Sequence, residues 1–147
     1  MAGAEDAAAA MRVAGAGRLL LLSEPGAAGF LGPVTWRALV ARAARDAGTA
    51  CLDALCCGAA AGDALAALRA GCRIIILDGA TPAFATVAAA AAELGALLLP
   101  TRPPALDVSG LDWRRDGARR KLLSWLSAQP AGERPGIAPD DTGETLR

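Results

Sequence analysis

The chain has 147 residues, with 15 basic and 15 acidic side chains and a formal net charge of zero. That length suits one ordinary domain with tails, and the balanced charge argues against an electrostatic grip on nucleic acid or an anionic membrane. There is no His, no Tyr and no Asn, Lys121 is the single lysine, and Ala fills 38 positions. The missing His removes the commonest general base and zinc ligand. The missing Tyr removes the Tyr-Lys proton-transfer pair of many reductases. Ala buries little area, so packing rests on Leu, Ile and Val clusters together with Trp36, Phe84 and Trp125.

In chain order, residues 1–16 are Ala- and Gly-rich without a clear period and read as a flexible leader. Arg18 to Leu22 ends at Ser23-Glu24-Pro25-Gly26 and predicts a short buried strand. Trp36, Leu39, Val40, Ala43 and Ala47 share one stripe of a helix predicted over 33–47, with Gly48 as its stop. Cys51 to Cys57, interrupted by Asp53, predicts an edge strand. A short helix over 63–70 shows Leu65 and Leu68 and closes at Gly71. Ile74 to Leu77 is the clearest strand, an apolar β-branched run suited to cover on both faces. Thr81-Pro82 supplies a cap and a first-turn proline for a helix to Glu93 or Leu94. Leu97 to Leu99 is a fourth strand, stopped by Pro100. Asp116 caps a last helix through Leu126, with Leu122, Leu123 and Leu126 inward. Residues 129–147 are Pro/Gly-rich and acidic and read as a disordered tail, leaving 17–128 as a single domain.

The four cysteines, Cys51, Cys56, Cys57 and Cys72, lack paired zinc-ribbon spacing and sit in or beside apolar runs, as buried structural thiols do. A reducing cytoplasm fits them. Excess Ala, Gly, Arg and Pro with scarce Lys and Asn reads as the composition of a GC-rich bacterial genome. No segment reads as an export signal or a membrane span: the run from Ala83 to Leu99 contains Glu93 and is split by Gly95.

Strand and helix alternate from the first strand to the last helix. The fold expected is therefore a small doubly wound α/β domain, an open parallel sheet of about four strands in the order 2-1-3-4 with helices on both faces. The switch point then lies between the first and third strands, where ligands bind at the carboxyl edge. On that topology Ser23, Glu24, Asp78, Thr101 and Arg102 are the ligand-edge candidates, with Cys57 and Gly58 beside them. Glu24 and Asp78 would face each other, and two close carboxylates raise a pKa or recruit a cation. The competing account makes both of them solvated strand ends or helix caps.

From Arg18 to Thr101 the layout resembles a response-regulator receiver domain, carried by Ser23-Glu24, Gly62-Asp63-Ala64-Leu65, Asp78, Pro82 and Thr101 in that order. The resemblance implies a flavodoxin-like fold with Asp78 as the phosphorylatable position and Mg²⁺ beside it. Ser23 replaces one acidic residue of that pattern, and Lys121 lies in the last helix, not after a fifth strand. A degenerate receiver that binds without accepting phosphate follows. A second, local resemblance is to the glycine turn of extended short-chain dehydrogenases, in Gly26-Ala27-Ala28-Gly29-Phe30-Leu31-Gly32. It implies Gly26, Gly29 and Gly32 as a phosphate loop for NAD(P). Against it stand Glu24 before the turn, a second strand ending Cys56-Cys57-Gly58 instead of in an acid, and the absent Tyr.

Arg114, Arg115, Arg119, Arg120 and Lys121 cluster near Asp112 and Asp116, a charge run that reads first as a solvated helix face and second as a seat for a small anionic ligand. Trp113 and Trp125 flank it, Trp125 as core and Trp113, if exposed, as a contact surface. The sequence thus reads as a non-catalytic, receiver-like cytoplasmic module binding a protein partner in a bacterial regulatory or accessory role, without nucleic acid or membrane. The alternative is a nucleotide or small-molecule binding domain using the Gly26 to Gly32 loop.

Overall fold

Among the described residues four short strands form one parallel sheet: β1 (Leu20–Leu22), β2 (Leu52–Cys56), β3 (Ile74–Ile76) and β4 (Leu97–Leu99). The computed structural model describes residues 3–129, and the expected tail lies almost wholly outside them. Among these residues six helices accompany the sheet: α1 (Ala4–Ala14), α2 (Ala27–Phe30), α3 (Pro33–Ala47), α4 (Ala61–Arg69), α5 (Phe84–Glu93) and α6 (Asp116–Ala128).

The strand order is β1-β2-β3-β4, not 2-1-3-4. Each strand pairs with its successor, the commonest arrangement for consecutive elements. Burial explains the choice. Ala54, Leu55 and Cys56 of β2 are buried, as an interior strand requires, whereas the whole of β1 is only partly buried and takes the edge. The edge position that Asp53 suggests for β2 is thus corrected. The Asp53 carboxylate is held by the Trp36 indole, whose Nε1–H donates to Oδ2 at 2.8 Å, so the charge is accommodated under α3.

Alternation along the strands sorts the side chains. Leu55, Ile75 and Leu77 join Trp36 and Val40 of α3, Ala64, Ala67 and Leu68 of α4, and Val87 and Ala91 of α5 in the main core. The helices linking consecutive strands therefore share one face of the sheet. Ala54, Cys56, Ile74 and Ile76 form the opposite apolar face, flanked by Leu20, Leu22, Leu97 and Leu99, and no helical residue among those described belongs to that cluster. The three crossover helices α3, α4 and α5 thus lie on one side, and the expected switch point between the first and third strands is corrected with the order.

In place of the expected leader, residues 4–14 form α1. Ala7, Ala8, Ala10 and Met11 are buried, and the helix packs on both α3 and α6. Small side chains let backbones approach closely here, where Met11 meets Ala43 in a separate small core. Asp6 fixes both ends of this assembly: Oδ2 accepts the Gly3 amide at 3.3 Å, and Oδ1 accepts the Trp113 indole at 3.1 Å. Trp113 is thus an anchor between α1 and the segment entering α6. Thr81, expected to cap α5, does not: the helix starts at Phe84 with Ala83 as its cap, and the buried Thr81 hydroxyl has no hydrogen-bond partner among the described residues. Among the described residues, no helix is long and apolar enough to cross a membrane.

Candidate functional site

The carboxyl ends of the strands are laced together by main-chain bonds. Cys57 N–H donates to Ile76 O, Leu77 N–H to Leu99 O, Asp78 N–H to Gly58 O, and Gly79 N–H to Pro100 O. With β2 between β1 and β3, the expected residues separate into two groups. Ser23, Glu24 and Arg102 gather at the end of β1. Asp78 and Thr101 belong to the turns after β3 and β4, and β1 and β3 lie about two strand spacings, or ~10 Å, apart. The facing of Glu24 and Asp78 across a switch point is therefore corrected too. Asp78 is exposed, and its Oδ1 accepts the Ala80 amide at 2.9 Å in a local turn.

Ser23 is 3% exposed and structural in use. Its amide extends the ladder by donating to Ala54 O at 3.1 Å. A regular parallel ladder would then send the Cys56 amide to the Ser23 carbonyl. The hydroxyl takes that place instead, accepting Cys56 N–H at 2.8 Å, and the carbonyl accepts the Arg102 guanidinium at 2.5 Å. Arg102 follows β4 by three residues, yet it reaches across the sheet to the far strand. The connection after β4 therefore turns back toward β1. Ser23→Ala is expected to cost about 1–3 kcal/mol, because a buried amide loses its acceptor; urea unfolding checks this, and an unchanged midpoint would refute it.

The Gly26–Gly32 loop is built differently from a phosphate cradle. Gly26 and Gly32 have φ of 68° and 78°, a left-handed region that only glycine adopts without strain. Three of the amides between them are engaged locally: Ala27 N–H donates to Glu24 O, Gly29 N–H to Gly26 O, and Leu31 N–H to Ala27 O. An ideal Cβ at Gly29 would stand 3.3 Å from the Asp63 carboxylate. A carboxylate against the middle glycine, whose own amide is already bonded, does not fit a pyrophosphate. Among the described residues, no three acidic, Cys or His side chains cluster as metal ligands.

The cysteines are free thiols. Burial, reinforced by Asp53, lifts Cys51 to about 11, and burial reinforced by its neighbours Cys56, Asp63 and Cys72 lifts Cys57 to about 12. Cys72 likewise stands at about 11, through burial and then Asp53. These three remain protonated at neutral pH, which makes them poor nucleophiles.

The feature that sequence reasoning missed lies beside β1. A cavity of about 860 Å³ is lined by Leu20, Leu21 and Leu22, by Phe30 and Leu31, by the connection 102–108, and by Leu122, Trp125 and Leu126 of α6. Phe30 is 62% exposed. Arg102 and Glu24 border the cavity at the carboxyl end of β1, and Arg18 at the other. The connection is braced at its middle by Ser109, whose hydroxyl and amide donate to Asp107 Oδ1 at 2.7 and 2.8 Å and hold that carboxyl below its ordinary value. Trp125 and Leu126, expected in the core, are half-buried here. The available signal was an apolar helix face continuing next to a strand whose three leucines leave nothing polar on either side.

No protein-family model matches the chain, and no curated protein or solved structure is similar enough to count as a match.

Proposed function

We propose that the chain is a non-catalytic α/β module that binds a protein partner in a regulatory or accessory role, with the groove beside β1 as its binding surface. The groove itself carries this reading. Its volume of about 860 Å³ lies within the ~300–1,000 Å³ range of ligand pockets. Its course along an open strand edge favours a length of polypeptide over a compact small molecule. Composition points the same way, since a chain without His or Tyr lacks the commonest acid–base groups. Within this reading the receiver-like series Ser23-Glu24, Asp78, Pro82 and Thr101 marks a module that works by contact, without phosphate transfer to Asp78.

The test is selection of random peptides of about seven residues, a typical strand length, on the immobilised full chain. Enriched peptides should bind the native protein and lose about tenfold or more in affinity, roughly 1.4 kcal/mol, with Leu126→Glu and with Leu106→Glu. The exposed control Glu93→Arg should leave binding unchanged. Using two groove variants, one on α6 and one in the connection, guards against misfolding of either. Failure to enrich any peptide, or binding indifferent to both groove variants, would refute the reading.

A further inference from the structure

We infer that the groove takes an extended apolar peptide segment, which adds as a fifth strand beside β1; this rests on the reading of the groove as the binding surface. Backbone groups of successive strand residues point to opposite sides of the strand. Ser23 N–H points at β2, where it meets Ala54 O, and Leu21, two residues earlier, shares that side. The N–H and C=O groups of Leu20 and Leu22 therefore face away from the sheet. Among the described residues β1 has only β2 as a strand neighbour, and none of them hydrogen-bonds these outward groups.

Such a row of open donors and acceptors is a template for another strand. Here it does not open on bulk surface. Leu20 and Leu22 lie on one face of the sheet and Leu21 on the other, and all three line the cavity. The free edge thus runs through the groove, with apolar side chains on both sides of it. An incoming strand would pair with Leu20 and Leu22 through its backbone. Its side chains would cover Phe30, Trp125 and Leu126, which line the same cavity.

Two other occupants fit less well. Gln129 lines the cavity, and residues 130–147 follow it. That segment carries Pro130, Pro135 and Pro139, which lack the N–H a strand must donate, and Ile137 and Leu146 are its only large apolar residues. A second copy pairing β1 against β1 would have to bring its own α6 and 102–108 walls into the same groove.

The experiment uses the tightest peptide of the selection above and two analogues, one N-methylated at its odd residues and one at its even residues. One parity should weaken binding by about tenfold or more and the other by less than about threefold, because only one set of amides faces β1. Hydrogen exchange at the Leu20 and Leu22 amides should slow in the complex. Equal tolerance of both parities, with binding still lost in Leu106→Glu, would overturn strand addition while leaving the groove as the site. Indifference to Leu106→Glu and Leu126→Glu alike would remove the groove reading itself. Two results would reassign the occupant: about tenfold tighter binding after truncation at Gln129 would give it to the chain's own tail, and peptide-induced dissociation of a dimer in sedimentation would give it to a second copy.

Discussion

Replacing Trp36 by alanine is expected to destabilise the domain by about 3–5 kcal/mol, the cost of emptying a large buried site. Trp36 is 6% exposed and belongs to the core shared by α3, α4 and α5 with the sheet. It also supplies the hydrogen bond that lets Asp53 sit inside. Urea unfolding followed by circular dichroism reads the loss, and a change under about 1 kcal/mol would show that the indole is dispensable. The pH dependence isolates the polar part. Burial raises the Asp53 pKa above its ordinary 3.8, while the Trp36 hydrogen bond and the Arg37 charge pull it down. A folded value above the unfolded one means that folding favours the protonated acid. This contribution is complete below the unfolded value and is lost as pH rises through the folded one. Asp53→Asn should therefore gain stability relative to the native chain as pH climbs through that window. Trp36→Phe, which removes one lowering influence, should extend the window upward. Parallel pH profiles for native and Asp53→Asn proteins would contradict the assignment.

Met11→Asp should cost at least about 3 kcal/mol, since it places an unpaired carboxylate where the native side chain is almost fully enclosed. Met11 is 1% exposed, within a helix packed between α3 and α6. Removing residues 1–14 should have a similar effect and should also release Trp113 from Asp6, a change visible in tryptophan emission. Were the segment a leader without tertiary contacts, neither alteration would move the unfolding midpoint.

Much of the local structure was legible in the residues. The helix over 33–47 and the strand over 97–99 occur at their expected limits, because proline, glycine and an apolar period mark the ends without outside help. The order of the strands was not legible. It turns on whether Asp53 is solvated, and that depends on Trp36, a residue in another element. Helix α1 was hidden for a different reason. A run of alanines has high helix propensity but no contrast between faces, so the period that announces a packed helix is missing. At the carboxyl end of β1, Arg102 meets Ser23 beside Glu24, and Asp78 is carried away by the change in order. The groove was invisible because it belongs to no single segment.

Consecutive strand order bears on how the molecule is made. Each strand finds its neighbour in the unit just completed, so the sheet can be assembled from β1 to β4 as the chain leaves the ribosome, with short loops to close and few distant pairings to await. The docking of α6 on α1 joins the two ends of the described chain and can only come last. Until α6 has been synthesised, the α1 surface that it covers stays open, and the growing domain carries a sticky flank that only the last described helix can close.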